Sequence, residues 1–168
     1  MVGQNVVSIG GKPWMVGREI EEVLNEMEKE YKYPLKYVEW FEALKKGKLL
    51  GLKCEDCGRV TCPPFSVCQK CGSKKLKPIE LNGKGEIMTF TVIHTAPEGF
   101  NPPYIVCYVK MSEGPWIPGR LDLNVEAAEK EGVKLLGRKV ELKGGAILPG
   151  DRHTGNVERV VPLFKLAE

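Results

Sequence analysis

Two cysteine pairs in the middle of the chain constrain its local fold more than any other feature. Cys54 and Cys57 form one Cys-x-x-Cys pair, Cys68 and Cys71 form a second, and each pair is followed directly by glycine. Two intervening residues let a tight turn aim both sulfurs at one point, and glycine tolerates the positive φ of such a turn. Four thiolates complete a tetrahedron around Zn²⁺. The pattern predicts a zinc ribbon that holds one structural zinc, with iron or a redox pair as the open alternative.

The other cysteines are predicted to be unreactive thiols. The chain has six cysteines, and five of them lie between residues 54 and 71. Such clustering indicates metal binding rather than a disulfide framework. Cys62 lies between the two pairs, and because the tetrahedron is already full we expect it to be a buried or semi-exposed thiol. Cys107 alternates with apolar residues and is predicted to lie in the core.

Length and composition indicate a globular protein. The chain has 168 residues, 42% hydrophobic and 28% charged, which suits one ordinary domain or two small units. No run approaches the roughly 18 apolar residues of a membrane helix. The first residues carry no basic start and no long apolar run, so we expect no signal peptide and, by default, a cytoplasmic location.

The hydrophobic pattern divides the chain into four predicted segments. Residues 1–16 are Gly-rich and aperiodic and are predicted to form an N-terminal arm. Residues 17–47 have helical periodicity, residues 48–82 contain the cysteine pairs, and residues 83–168 alternate with the period of β-strands. The predicted fold is mainly β with α: an N-terminal helical hairpin, a rubredoxin-like zinc ribbon and a C-terminal five-stranded OB-fold barrel.

The hairpin and the barrel have recognisable ends. A first helix is predicted from Arg18 to about Tyr33, where a proline follows, and a second from about Lys36 to Lys46, with Gly47 as its stop. Five strands with a short helix between the third and fourth favour an OB-type barrel. Asn124 is the predicted cap of that short helix and Gly132 its stop. Spacing alone leaves another small barrel open.

Positive charge is concentrated on the cysteine segment. Residues 51–83 hold six basic and three acidic side chains, whereas the segments on either side are balanced. Arg59, Lys70, Lys74 and Lys75 are therefore predicted to form a basic edge that attracts a phosphate-bearing ligand. The alternative is a solvated surface without a ligand.

Aromatic residues mark two candidate docking regions. Trp40 and Phe41 lie on one face of the second predicted helix, and Phe100, Tyr104 and Trp116 lie in or beside proline-rich loops. Large aromatic side chains dominate protein interfaces, and proline-stiffened loops lose little entropy on binding. These five residues are predicted to contact a partner, and local packing is the alternative.

The sequence carries no sign of a complete catalytic site. The two histidines, His94 and His153, belong to no motif that ties them to a nucleophile. No P-loop and no Gly-x-Gly-x-x-Gly fingerprint is present. The chain is therefore not expected to catalyse a reaction alone.

Several of these segments together resemble a known family. They are the run from Val38 through Cys57-Gly-Arg59-Val, the Pro63-Pro64 pair with the second knuckle, the strand from Lys84, and Gly119-Arg-Leu-Asp122. They resemble the zinc-ribbon/OB-fold family of thiolase-associated, acyl-CoA-related accessory proteins of bacteria and archaea. The small subunit of benzoylsuccinyl-CoA thiolase is one member.

The resemblance implies a function. Family members are non-catalytic subunits that dock on a thiolase or a related condensing enzyme and help to form or guard its CoA/acyl-CoA binding region. The chain would then be a required subunit of a hetero-oligomer, and its basic edge of Arg59, Lys70, Lys74 and Lys75 would lie near the CoA at the partner's acyl-CoA channel. Binding of single-stranded nucleic acid is the alternative, because OB-folds often do this through a basic groove with stacking aromatics. The balanced charge of the barrel half argues against it.

Overall fold

The β-patterned half of the chain closes into a barrel in the computed structural model. The structure describes residues 8–9, 12–13, 33–97, 99–150 and 157–167. The chain divides into two units, Met1–Tyr33 and Pro34–Glu168. In the first, strands β1 (Ser8–Ile9) and β2 (Lys12–Pro13) pair antiparallel. The helix predicted from Arg18 lies outside the described residues.

Helix α1 begins the second unit. It spans Tyr37–Lys45 and follows Lys36, whose backbone N–H donates to the Glu39 carboxylate at 3.0 Å. Gly47 ends the helical turn with a φ of 75°, and its N–H donates to the Leu44 carbonyl at 2.9 Å. The stop predicted at Gly47 is confirmed, and its cause is the left-handed backbone that glycine adopts readily.

A three-stranded antiparallel sheet follows the helix. Strand β3 (Leu49–Cys54) lies in the centre and pairs with β4 (Val60–Thr61) on one side and β5 (Leu76–Leu81) on the other. Because β3 ends at Cys54, the first zinc ligand lies at the end of the central strand. This sheet carries the zinc ribbon.

Five strands form the closed barrel. They are β6 (Lys84–Ile93), β7 (Tyr104–Met111), β8 (Trp116–Leu121), β9 (Lys139–Leu148) and β10 (Arg159–Leu166). Their order around the barrel is β10-β8-β7-β6-β9, and β10 with β8 is the parallel pair. This arrangement confirms the predicted OB-type barrel.

The short helix between the third and fourth barrel strands is also as predicted. Helix α2 spans Val125–Glu131, and the Asn124 side chain accepts the Ala127 N–H at 3.0 Å. Gly132 ends the helix with a φ of 52° and begins a short 3₁₀ turn, Gly132–Leu135. Local capping chemistry therefore sets both ends of this element.

One hydrophobic core joins α1, the ribbon and the barrel. Phe164 fills the barrel with no measurable exposure, and Leu44 and Leu52 are equally buried in α1 and β3. Cys107 is 1% exposed within this core, as predicted, and burial raises the pKa of its thiol to about 12. Because the core is shared, the positions of the ribbon and of α1 on the barrel are set by packing.

Candidate metal centre and binding surfaces

The metal centre is built from two knuckles with nearly the same backbone. The Cys54 carbonyl accepts the N–H of Gly58 at 2.9 Å, and the Cys68 carbonyl accepts the N–H of Gly72 at the same distance. The φ angles of the two glycines are 71° and 72°. A side chain with a Cβ is strained at such angles, which explains why glycine follows each cysteine pair.

The four sulfurs lie where a tetrahedral zinc ion needs them. All four Sγ atoms lie within 4.8 Å of one another, and the Cys54–Cys71 and Cys57–Cys68 sulfurs are each 3.6 Å apart. Zn–S bonds of about 2.3 Å in a tetrahedron place sulfurs about 3.8 Å apart. Four protein ligands leave no open position for a water or a substrate. The set therefore fits one structural zinc.

In the second knuckle, backbone hydrogen bonding favours the thiolate form of Cys68. Backbone N–H groups of Cys71 and Lys70 lower the pKa of the Cys68 thiol to about 6. The Lys70 N–H lies 3.4 Å from the Cys68 sulfur. Zinc binds thiolate rather than thiol, so this hydrogen bonding reduces the cost of losing the proton.

Cys62 is buried and is separate from the metal site. Its Sγ donates to the Leu50 carbonyl at 3.3 Å, and the Trp40 indole N–H donates to the same oxygen at 2.8 Å. Burial raises the pKa of the Cys62 thiol to about 12. The thiol is therefore protonated at neutral pH, as expected for the residue predicted to lie outside the ligand set.

The predicted basic edge is exposed but partly neutralised. Arg59, Lys70, Lys74 and Lys75 are all exposed. The Lys75 ammonium lies 3.1 Å from the Asp56 carboxylate, and this hydrogen bond raises its pKa. Within the described part of the chain, the other three form no ion pair, so they are the cations available to a ligand.

The fold brings Arg59 and Trp116 to the same small cavity. This cavity, of about 200 Å³, lies between the ribbon and the barrel, and Gln69 and Tyr108 also line it. The Trp116 side chain is 50% exposed, and its ring centroid lies 6.5 Å from that of Tyr108. Sequence reasoning assigned Arg59 to the basic edge and Trp116 to the docking residues, and 57 positions separate the two in the sequence. We call this the ribbon–barrel cavity.

The other four predicted docking residues surround one apolar groove. Trp40 and Phe41 of α1, Phe100 of the loop before β7 and Tyr104 of β7 line a space of about 390 Å³. Tyr37, Pro63 and residues of strands β7 to β10 also line it. We call this the aromatic groove. The walls of this groove include four of the five aromatic residues that the sequence analysis predicted to contact a partner.

Trp40 has a more internal position than a docking residue normally has. Its side chain is only 5% exposed, and its indole N–H is satisfied by Leu50. Phe41 is partly buried beside it, with ring centroids 5.6 Å apart. Trp40 therefore shapes one wall of the groove, and Phe41 presents more surface to an occupant.

Two arginines at the groove were not singled out by sequence reasoning as site residues. The Arg120 guanidinium lies 4.1 Å from the centroid of the Tyr104 ring, and that of Arg159 lies 5.3 Å from the Phe100 ring. Each contact is a cation–π arrangement. Arg120 lies in the Gly119-Arg-Leu-Asp122 segment that contributes to the family resemblance, but its contact with Tyr104 depends on the pairing of β7 with β8. Arg159 is distant from Phe100 in the sequence, so their contact depends on the tertiary fold.

No activated nucleophile occurs in the described residues outside the metal site. The thiols of Cys62 and Cys107 are kept protonated by burial. His94 is exposed, and its Nε2 lies 2.9 Å from Glu129 Oε1 rather than beside a thiol or a serine. His153 lies outside the described residues. Nucleophilic catalysis needs a nucleophile held by a base, and the described side chains do not provide that pair.

Among the described residues, no helix is both long enough and apolar enough to span a bilayer.

Fold and metal site together define a zinc-ribbon/OB-fold protein. The family model described as the ChsH2 rubredoxin-like zinc ribbon domain matches residues 41–77. The model described as the ChsH2 C-terminal OB-fold domain matches residues 78–149. The chain belongs to the family of DUF35-domain, ChsH2-type proteins, since these matches together cover more than half of it.

Similar proteins support this assignment. DUF35 domain-containing scaffold proteins of Methanocaldococcus jannaschii and Pyrococcus furiosus are 34% and 35% identical, over 49% and 60% of this chain. The chain spans 60% and 76% of their respective lengths. A probable enoyl-CoA hydratase alpha subunit of Thermomonospora curvata is 36% identical over 45% of this chain and 24% of its own.

A solved structure shows the same fold. The structure titled Ltp2-ChsH2(DUF35) aldolase superposes with a TM-score of 0.56 at 29% identity. The match covers 77% of this chain and 92% of the other. The similarity therefore extends beyond the metal knuckles into the barrel.

Proposed function

We propose that the chain is a non-catalytic, zinc-binding subunit of a thiolase-type acyl-CoA enzyme complex. It docks on the catalytic subunit and helps to form or guard the CoA/acyl-CoA binding region. The main support is that one hydrophobic core carries both a metal site with four protein ligands and two surfaces lined by aromatic residues. Such a chain is built to bind rather than to react, because its described thiols are either ligands or protonated.

The relatives support a role beside an enzyme. One similar structure is titled an aldolase that joins Ltp2 to a DUF35 protein, and one relative is described as an enoyl-CoA hydratase subunit. Both descriptions name an enzyme, an aldolase in one case and an enoyl-CoA hydratase subunit in the other. The thiolase type of partner is our choice among such enzymes.

The docking part is tested by purification from the native host. Tagged protein, isolated at physiological salt, is expected to bring down one thiolase-type subunit in fixed stoichiometry, identified by mass spectrometry. The pure chain alone is expected to leave acyl-CoA unchanged. A hydratase or aldolase partner would contradict the thiolase assignment only. Turnover by the isolated chain would overturn the whole proposal.

The CoA part depends on the unpaired cations of the basic edge. Lys70 and Lys74 are exposed and form no ion pair within the described chain, so they attract phosphate groups at the mouth of the partner's site. The double variant Lys70→Glu/Lys74→Glu is expected to raise the KM of the complex for acyl-CoA about three- to tenfold at low salt, with kcat nearly unchanged.

The matched control is Lys130→Glu/Lys134→Glu. These lysines are also exposed, and they lie at the end of α2 and in the following 3₁₀ turn. Equal KM values for the two double variants would show that the basic edge does not contribute to CoA binding. The docking proposal would be unaffected.

A further inference from the structure

The aromatic groove carries an inference about the partner itself. We propose that it receives an amphipathic α-helix of the catalytic subunit, whose apolar face fills the groove and whose carboxylate pairs with Arg120. This inference rests on the proposed function, since it names the element by which the partner docks. Neither the metal site nor the basic edge uses this surface.

The groove has two aromatic walls. On α1, the ring centroids of Tyr37, Trp40 and Phe41 lie between 5.6 and 6.2 Å from one another. On the opposite wall, the rings of Phe100 and Tyr104 stack at 6.3 Å with an interplanar angle of 28°. Contacts of this kind hold the rings in place before a partner arrives, so little side-chain entropy is lost on binding.

The floor of the groove favours a helix over an extended strand. Strands β8 and β10 pair with each other only at Leu163–Arg120 and Phe164–Leu121, and their preceding residues line the groove. Each of these preceding segments carries a proline, Pro118 in β8 and Pro162 in β10. Proline has no N–H, so a strand added here could not form a complete ladder of backbone hydrogen bonds. A helix forms its backbone hydrogen bonds internally and needs only apolar contact with the groove.

Arg120 supplies the polar anchor. Its guanidinium rests on the Tyr104 ring, and within the described residues it forms no ion pair. Its side chain is half-buried, so water screens it less than the exposed lysines. A carboxylate delivered by the occupant would form a charge-assisted and bidentate hydrogen-bond pair there.

The extent of apolar surface argues against a small ligand. At the rim of the groove, 49% of Tyr37 is exposed, and the adjacent Val38, outside the lining, is 70% exposed. A small ligand buries most of its surface in a concave site and leaves such flanking residues in water. A helix can place further apolar residues over them, which makes the partner helix the better occupant.

The test uses the complex obtained from the native host. Tyr37, a half-exposed residue of the groove, is replaced by the photo-cross-linking amino acid benzoylphenylalanine. The complex that contains this variant is irradiated, and the cross-linked peptide is identified by mass spectrometry. We expect a peptide of the catalytic subunit with apolar residues at helical spacing and an Asp or Glu among them. A cross-link to acyl-CoA, to a second copy of the chain or to no molecule would overturn the inference.

A charge reversal tests the role of Arg120. With the purified catalytic subunit as probe, Arg120→Glu is expected to raise the Kd at least tenfold, and replacing the cross-linked carboxylate of the partner by arginine is expected to restore binding. Lys134→Glu, an exposed cation outside the groove, serves as the control. Zinc content and circular dichroism establish that each variant is folded.

The outcomes separate this inference from the proposed function. Tyr37→Ala is a second variant, chosen because its side chain is half-exposed and its loss spares the core. If both groove variants bind the catalytic subunit as tightly as the unaltered chain, the groove is not the docking site although the chain remains a subunit. If no catalytic subunit co-purifies at all, both proposals fail.

Discussion

At the scale of single residues, cysteine has three different roles in this chain. Four cysteines form the metal centre, Cys62 donates a hydrogen bond to Leu50 beneath α1, and Cys107 packs inside the barrel. Residue type alone does not decide among these roles. Spacing identifies the ligands, whereas the surroundings of Cys62 and Cys107 decide their protonation, because burial disfavours the thiolate.

The shifted pKa of Cys62 predicts a specific alkaline instability. In the unfolded chain this thiol ionises near its ordinary pKa of 9.0, but in the folded protein its pKa is about 12. Above pH 9 the unfolded state therefore loses a proton that the folded state keeps, and the free energy of unfolding falls. The expected loss is up to about 1.4 kcal/mol per pH unit, and below pH 9 the thiol contributes no pH dependence.

Urea unfolding of the unaltered chain and of Cys62→Ser measures this effect. Serine keeps a donor for the Leu50 carbonyl but does not ionise in this range. The difference in unfolding free energy between the two proteins should be constant from pH 7 to 8.5 and should shrink between pH 9 and 11. Parallel curves throughout would show that Cys62 ionises as readily in the folded protein as in the unfolded one.

At the scale of elements, the ribbon is a sheet completed by metal. Strand β3 pairs with β5 over six residues, from Leu49 to Cys54, and with β4 over two, so Cys54 is the only zinc ligand that lies in a strand ladder. A sheet this small has little hydrophobic area of its own, so the zinc ion contributes directly to its folding. The ends of the two helices do not depend on metal, because the caps at Asn124 and Gly47 are local hydrogen bonds.

Loss of one ligand is expected to release the metal. Purified protein should contain about one zinc per chain, and Cys54→Ser should retain little of it and lose the ribbon structure, because an incomplete tetrahedron binds far more weakly. Metal is measured by atomic emission and folding by hydrogen exchange of the ribbon amides.

The matched control for this prediction is Cys62→Ser. It alters a cysteine of the same segment that is not a ligand, so its zinc content should stay at one per chain. A metal-free chain with fully protected ribbon amides would contradict the structural role of zinc.

At the scale of the whole molecule, ion pairs on the barrel bear on the nucleic-acid alternative. Lysines of β9 and β10 pair with acidic residues across the barrel: Lys139 with Glu86 at 2.9 Å, Lys143 with Asp122 at 2.6 Å and Lys165 with Glu141 at 2.8 Å. Single-strand binding proteins instead leave a positive groove open to the phosphate backbone. Exposed pairs add little stability, but they cancel the field that nucleic acid would need.

The barrel is therefore expected to bind single-stranded oligonucleotides poorly. For a 20-nucleotide poly-dT at 150 mM salt, we expect a Kd weaker than about 10 µM by fluorescence anisotropy, within the range of non-specific binding. The variant Glu86→Gln/Glu141→Gln removes two negative charges from the barrel surface and should bind more tightly. Tight, salt-sensitive binding by the unaltered chain would instead support the nucleic-acid alternative.

The sequence by itself determined the parts of this protein that depend on local chemistry. Cysteine spacing identified the zinc ligands, alternation identified the barrel strands, and Asn124, Gly132 and Gly47 marked the ends of helices. Each of these depends on residues within a few positions of one another, where turn geometry, side-chain period and capping act directly.

Only the tertiary structure decided which distant residues share a surface. Pairing of β7 with β8 placed Arg120 beside Tyr104. Packing of the ribbon and α1 on the barrel joined Arg59 to Trp116 and divided five aromatic residues between a groove and a cavity. It also buried Trp40, which its sequence pattern left as either core or docking residue. The physical reason is that strand register and core packing set these contacts across long stretches of chain, and no local preference of either partner records them.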